Sequence, residues 1–314
     1  MATIYVFCPE LNFPSGGIMK LYELVDTLNA NQIDSYIVHS NTNFKINWFE
    51  NTTKVKTIDF INIEEDDILI FPEVAAEEML NYHPKNRKII FCQNSFYALK
   101  MFYGKPERAK DFYLHPNVIQ VIVVSDHDFD LFTWIFPEIK ISKLICAVNE
   151  NLFYFQPEKK MQIAVMPRKL PSDFNFLENL LKIKGDLSKV PLKKIENLPF
   201  ESCAAILRES AIFLSFSDRE GFGLPPAEAM ACGCLVIGYH GQGGKEFFKK
   251  DLVYGIEQWD MMNYAKTISD VVNYITNEPK NALELGRKAS RFILEKYSKT
   301  NQEKSILQIL KPLL

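Results

Sequence analysis

The chain has 314 residues, enough for two domains of ordinary size, and 47% of them are hydrophobic, so a substantial core is available. No apolar run approaches the ~20 residues a membrane span needs, and no basic, apolar, cleavable leader opens the chain, which predicts a cytoplasmic protein without an integral membrane segment. The net charge of −3 is uneven: residues 1–150 carry 13 Lys/Arg against 20 Asp/Glu, and residues 151–314 carry 23 against 19. An acidic first half argues against nucleic acid or anionic lipid as a partner, and a basic second half suits an anionic ligand. The six cysteines mostly lie inside apolar runs and form no Cys-x-x-Cys pair. Cys232 and Cys234 lack the companion spacing zinc requires, so reduced core thiols are expected.

Thr3–Cys8 reads as a buried strand. A loop through Gly16 and Gly17 leads into a helix with Ile18, Leu21, Leu24, Val25 and Leu28 on one face, and Ser35–His39 is the next strand. This begins an α/β unit, without the Gly-x-Gly-x-x-Gly of a dinucleotide fingerprint. Residues 40–65 are polar and mixed, with Trp48 and Phe49 as packing anchors. Asp67–Phe71 is predicted as a strand, Glu73–Asn81 as a short helix, and Arg87–Cys92 as a strand ending in Gln93-Asn94-Ser95-Phe96. Polar residues just past the carboxyl end of a parallel strand lie where α/β folds bind ligands. That makes Gln93 and Asn94 site candidates, and a plain turn explains them equally well. Asn117–Ser125 is a long apolar strand, followed by Asp126, His127, Asp128 and Asp130. A Ser125 N-cap with acids in the first helical turn accounts for that cluster better than a metal does.

Pro157–Lys160 reads as a linker, and Gln162–Met166 as a strand followed directly by Pro167-Arg168-Lys169. Basic residues at a strand's carboxyl end face the ligand-binding edge; a solvated basic turn is the plainer reading. Val190–Ile195 is the next predicted strand, with the base of a nucleotide expected near its end, around Glu196–Leu198. Phe200–Ser210 is an amphipathic helix and Ala211–Phe216 a buried strand. Trp259–Asn277, Asn281–Tyr297 and Ser305–Leu314 are predicted helices. Strands alternate with helices through both halves, so two doubly wound parallel sheets are expected.

The most informative stretch runs from Ser215 to Tyr239. Gly221 and Gly223 bracket a tight turn, Pro225-Pro226 opens a helix, and Gly233 stops it before the next strand. A glycine loop opening a helix offers free N–H groups and the positive end of the helix dipole, which is a phosphate site. Glu220 and Glu228 would be repelled by phosphate itself. Carboxylates instead accept from vicinal hydroxyls, in charge-assisted bonds worth roughly 1.5–3 kcal/mol each. A phosphate compound with hydroxyls on both sides is a nucleotide sugar. A second glycine loop, Tyr239–Glu246, holds Gly243 and Gly244; no Ser or Thr follows Gly244-Lys245, so it is no Walker loop. His240 reads as a surface turn residue and Glu246 as a helix-start cap.

Glu220-Gly-Phe-Gly-Leu-Pro225 with Glu228-Ala-Met-Ala-Cys-Gly233 resembles the signature of the GT-B glycosyltransferases, specifically the retaining family 4 within group 1. The resemblance covers most of residues 115–275 and is architectural elsewhere. It implies an α/β fold of two Rossmann-like domains facing a cleft. Residues 1–154 would form the acceptor side, joined by a final helix at about 298–314, and residues 155–297 the donor side. Ile145–Phe153 resembles the family's interdomain segment, with Ala147 and Asn149 where Gly and Asp are usual. The resemblance further implies transfer of a sugar from a nucleoside diphosphate sugar to an acceptor hydroxyl in glycan or polysaccharide synthesis. Stereochemistry would be retained, with no cofactor and no metal, and the acceptor would be a glycan, a lipid-linked sugar or a small molecule. Glu220 and Arg168 are the implied catalytic groups, Glu220 toward the donor sugar and Arg168 on the diphosphate, and Lys169, adjacent to Arg168, is read as serving for the family's second diphosphate lysine. Donor binding would fall to Glu228 on the ribose diol, to Gly221, Phe222, Gly223 and Leu224, and to Gly243 and Gly244. Gly16 and Gly17 take the family's place near the acceptor and donor sugar, and a tight turn is their equal alternative. The usual second diphosphate lysine, five residues after the arginine, is Asp173 here. The rival readings are a nucleotide-sugar epimerase, which this motif fits poorly, and a non-catalytic scaffold of the same fold.

Overall fold

A computed structural model describes residues 2–75, 79–185 and 190–314. The chain divides into two units, Met1–Cys146 with Gln302–Leu314, and Ala147–Asn301. The helices are α1 (Gly16–Ala30), α2 (Ser95–Lys100), α3 (Pro106–Tyr113), α4 (Asp126–Ile135), α5 (Pro171–Lys184), α6 (Phe200–Glu209), α7 (Leu224–Ala231), α8 (Met261–Asn277), α9 (Pro279–Lys296) and α10 (Lys299–Leu310).

In the first unit, β1 (Ile4–Phe7), β2 (Ser35–His39), β3 (Val55–Thr57), β4 (Ile68–Pro72), β5 (Arg87–Cys92), β6 (Val118–Val123) and β7 (Ile141–Lys143) form one parallel sheet. Its order is β3-β2-β1-β4-β5-β6-β7. Runs such as Ile-Leu-Ile-Phe in β4 and Ile-Ile-Phe-Cys in β5 are apolar at successive positions because helices cover both faces of a parallel sheet. On one face Tyr113 of α3, Phe132 of α4 and Phe136 just after α4 pack on Leu69, Ile90, Val121 and Val123. Pro106 opens α3, and the Ser125 hydroxyl accepts the Asp128 N–H to cap α4. α10 belongs to this unit: Ser305 Oγ accepts the Ile145 N–H at 3.1 Å, and Asn31 Nδ2 donates to Glu303 at 2.9 Å.

In the second unit, β8 (Lys160–Val165), β9 (Leu192–Lys194), β10 (Ser210–Glu220), β11 (Leu235–Gln242) and β12 (Tyr254–Gly255) form a parallel sheet in the order β12-β11-β10-β8-β9. Phe174, Leu177 and Leu181 of α5 and Tyr264, Ile268 and Val271 of α8 share a core with Ile163, Val165, Ile212, Leu214 and Ile237. The Tyr264 hydroxyl donates to the carbonyls of Ser215 and Ile237, tying α8 to β10 and β11.

Both sheets are doubly wound and parallel, as the alternation of elements predicts. Strand order reverses between β1 and β4 in the first and between β8 and β10 in the second. Ligands of such sheets bind outside the carboxyl ends of the strands at the reversal. The short edge strands β3, β7 and β12 and the helices α2, α3 and α5 have no counterpart in the sequence reading. Two or three residues at a sheet edge are too few to carry a period of two. The helix expected over Glu73–Asn81 begins as a 3-10 turn at Glu73–Ala75; residues 76–78 lie outside the described ones. Among the described residues no disulfide forms, and the cysteines are all buried except the half-buried Cys203.

Candidate active site

At the reversal of the second sheet, β8 runs out into the 3-10 turn Pro167–Lys169 and β10 into Ser217–Glu220. There Lys169 Nζ lies 2.7 Å from Glu220 Oε1, with both side chains largely shielded (26% and 19% exposed). The two residues come from different strands, and the ion pair joins those strands' ends at the place where the fold binds ligands. Arg168 beside it is exposed and, among the described residues, makes no ion pair. At Asp173, in the first turn of α5, burial and then the neighbouring Asp218 push the carboxyl up, and Oδ2 has no hydrogen-bond partner among the described residues. Asp218 instead accepts from Arg219 at 2.8 Å and from Gln258 at 3.2 Å.

The glycine loop is shaped by local strain. One extra residue in β10 between Ser217 and Glu220 makes a bulge against β11, and Arg219 takes a left-handed φ of 46°. A Cβ on Gly241 would come within 2.9 Å of Glu220 Cγ, so bare backbone there makes room for the glutamate. Gly223 precedes α7, whose first residue Leu224 keeps its N–H, while Pro225 and Pro226 have none to leave unpaired in the first turn. Glu228, half-buried on the next turn, stands near enough to α6 for its charge to help burial raise the Cys203 thiol.

Gly243 and Gly244 open the 3-10 turn Gly243–Glu246, which follows β11. Gln242 before them has φ 73° and ψ −63°, the strained γ-turn conformation. A Cβ on Gly243 would stand 1.9 Å from the Gly221 carbonyl oxygen, so the two loops meet backbone to backbone. His240 Nδ1 accepts the Gln242 N–H at 3.0 Å, a turn contact. Glu246, read from the sequence as a helix-start cap, is buried: its side chain is 2% exposed and accepts from Tyr297 at 2.6 Å.

In the first unit, α1 begins at Gly16 and Gly17, and the Ser15 side chain does not cap it. Gln93 Nε2 donates to the Gly17 carbonyl at 3.1 Å, so two of the predicted positions touch. Asn94 serves locally, its Oδ1 accepting the N–H groups of Phe96 and Tyr97 to cap α2. Glu73, which the sequence reading passed over, lies at the carboxyl end of β4, at the reversal point. It is buried, and its Oε2 accepts the Gln93 N–H at 3.1 Å. Burial pushes its carboxyl up to about 7, with the Asp128 charge adding to the rise. The strand-end rule that singles out Gln93 applies equally to Glu73, which follows β4 directly. Among the described residues, no group of three or more metal-ligating side chains gathers, and no helix is long and apolar enough to cross a membrane.

Two doubly wound parallel sheets of this order are the fold of the GT-B glycosyltransferases. The family model for glycosyl transferases group 1 matches residues 191–305. The α-1,6-glucosyltransferase of Actinobacillus pleuropneumoniae is 30% identical over 241 residues, which is 72% of this chain and 69% of that protein. Among solved structures, the sucrose-phosphate synthase of Thermosynechococcus elongatus superposes with a TM-score of 0.68 at 12% identity, over 100% of this chain and 99% of the other. Anabaena HepE in complex with UDP-glucose does so with a TM-score of 0.69 at 9% identity, over 98% and 99%. The chain belongs to the glycosyl transferases group 1 and is a glycosyltransferase.

Proposed function

We propose that this glycosyltransferase takes its sugar from a nucleoside diphosphate sugar held at the reversal point of the second sheet. The observation that carries the reading is the Lys169–Glu220 pair across β8 and β10. A glutamate that holds sugar hydroxyls stands next to the donor's diphosphate and repels it. An ammonium 2.7 Å away offsets that repulsion and reaches the same phosphate oxygens. Lys169 thereby takes the part of the lysine missing at Asp173, and Arg168 extends from the same turn.

The reaction breaks the bond between the anomeric carbon and the diphosphate oxygen and forms one to an acceptor oxygen, whose proton is released. Charge builds on the leaving diphosphate. Lys169, Arg168 and the N–H groups from Gly221 to Leu224 meet that charge already oriented, which is the largest single contribution in many enzymes. Glu220 holds donor-sugar hydroxyls. Glu228 holds the ribose diol, with the base lying toward the β9–α6 connection. Gly243 and Gly244 line the same loop pair. In this reading the anomeric configuration is retained and the protein's own cations serve in place of a metal. The second unit binds the donor, and the first unit's Gly16, Gly17 and Gln93 serve the acceptor side, for a glycan, lipid-linked or small-molecule acceptor. HepE, solved with UDP-glucose, shares the fold and makes UDP the first probe.

Calorimetric titration with UDP, GDP, ADP and dTDP tests the site, followed by mass spectrometry of products from the matching sugar donors. One nucleotide should bind in preference. Glu228→Ala should weaken it about tenfold, and Glu220→Ala should lower turnover more than nucleotide affinity. Absence of binding by all four nucleotides would overturn the reading, and interconversion of the donor sugar without an acceptor would replace it with epimerisation.

A further inference from the structure

Both glycine loops of the second unit rest on one side chain, Tyr297, which follows the last residue of α9. Tyr297 is 2% exposed. Phe222, from the Glu220–Gly223 loop, packs edge-on against its ring with 5.0 Å between centroids. Phe247, which follows the 3-10 turn Gly243–Glu246, packs on it at 6.0 Å, and the two phenylalanines lie 5.2 Å apart. The phenol O–H donates to Glu246 Oε1 at 2.6 Å, and Lys296 Nζ stands 4.0 Å from that oxygen. The Tyr297 carbonyl accepts the Val148 N–H at 2.9 Å, so the end of α9 is held to the segment that opens this unit.

A loop of glycines has few side chains with which to hold its own shape, and glycine loses more freedom on ordering than any other residue. Here the two loops meet through bare backbone at Gly221 and Gly243, so their positions are set from behind. Three aromatic rings supply burial, which has little directional preference. The bond from a phenol to a buried carboxylate is short, charge-assisted and directional. A carboxylate is costly to bury without such a partner, and a mere helix cap would not need to be buried at all.

We propose that Tyr297 is a positioning residue for sugar transfer. Its hydroxyl acts through Glu246 and its ring through Phe222 and Phe247 to hold the two glycine loops in the arrangement that receives the donor. The inference rests on the donor site proposed above, and Tyr297 acts on the donor only through the loops.

Tyr297→Phe removes the hydroxyl and keeps the ring. The double variant Tyr297→Phe with Glu246→Leu replaces the bond by an apolar contact. The wild type and both variants are compared by calorimetry with the tightest of the four nucleotides, by steady-state kinetics in donor and in acceptor, and by thermal melting. Tyr297→Phe should raise the nucleotide Kd and the donor KM about tenfold, leave the acceptor KM unchanged and lower the melting temperature. The double variant should recover the melting temperature without recovering nucleotide affinity. Wild-type affinity in Tyr297→Phe, or recovery of affinity together with melting temperature, would show Tyr297 to be a packing residue and overturn the inference alone. Failure of the wild type to bind any of the nucleotides overturns the donor site and the inference with it.

Discussion

Gly243 and Gly244 are neighbours with different tolerances. A methyl group on Gly243 would stand 1.9 Å from the Gly221 carbonyl oxygen, and backbone on both sides leaves nothing to yield. On Gly244 it would meet the tip of the Phe247 ring at 3.2 Å, which a small ring movement relieves. Gly243→Ala should therefore abolish transfer and nucleotide binding while Gly244→Ala retains most of both. Paired activity and titration measurements check this, and equal losses would contradict it. Lys169 shows the same dependence on place. Its neighbour Arg168 has the same sequence context, yet Lys169 alone pairs with Glu220, because successive residues of the turn point in different directions.

At the level of elements, β6 carries an anomaly. Gln120 is fully buried in this central strand, and neither its Oε1 nor its Nε2 has a hydrogen-bond partner among the described residues. A buried polar group without a partner costs about 1–3 kcal/mol, and methionine has nearly the same length and volume. Gln120→Met should raise stability toward urea by about that amount, read from the unfolding midpoint at unchanged slope. A lower midpoint would mean that the amide is satisfied in the folded protein. The helices are explained by local signals: Pro106 opens α3, Pro171 opens α5, and Gly185 ends α5 with a left-handed φ of 84°.

For the whole molecule, Glu73 links folding to pH. Its carboxyl holds a proton to about pH 7 when folded, against an ordinary value of 4.5, because burial disfavours the charged form. The folded state therefore binds more protons between those values, and stability falls as pH rises through 7. The neighbouring Asp128 adds to this, since its negative charge disfavours ionising Glu73. Unfolding free energies at about pH 5.5 and about pH 8.5 should show the wild type losing about 2 kcal/mol relative to Glu73→Gln. Parallel pH profiles for the two proteins would refute the assignment.

What could be read from the sequence was local. Strand, glycine loop, prolines, helix and Glu228 lie within a few turns of one another, so their order could be read from spacing alone, and alternating elements announced the two doubly wound sheets. Folding determined everything that depends on distant positions meeting. The Lys169–Glu220 pair spans two strands brought together by a reversal in strand order. Glu73 reaches Gln93 from a neighbouring strand end. Glu246, read from the sequence only as a helix-start cap, is buried beneath Tyr297, 51 positions further along the chain. Periodicity reports which face of an element is apolar, but not which other element covers it. A carboxylate's surroundings, and with them its charge and its partner, are therefore set only when the layers close.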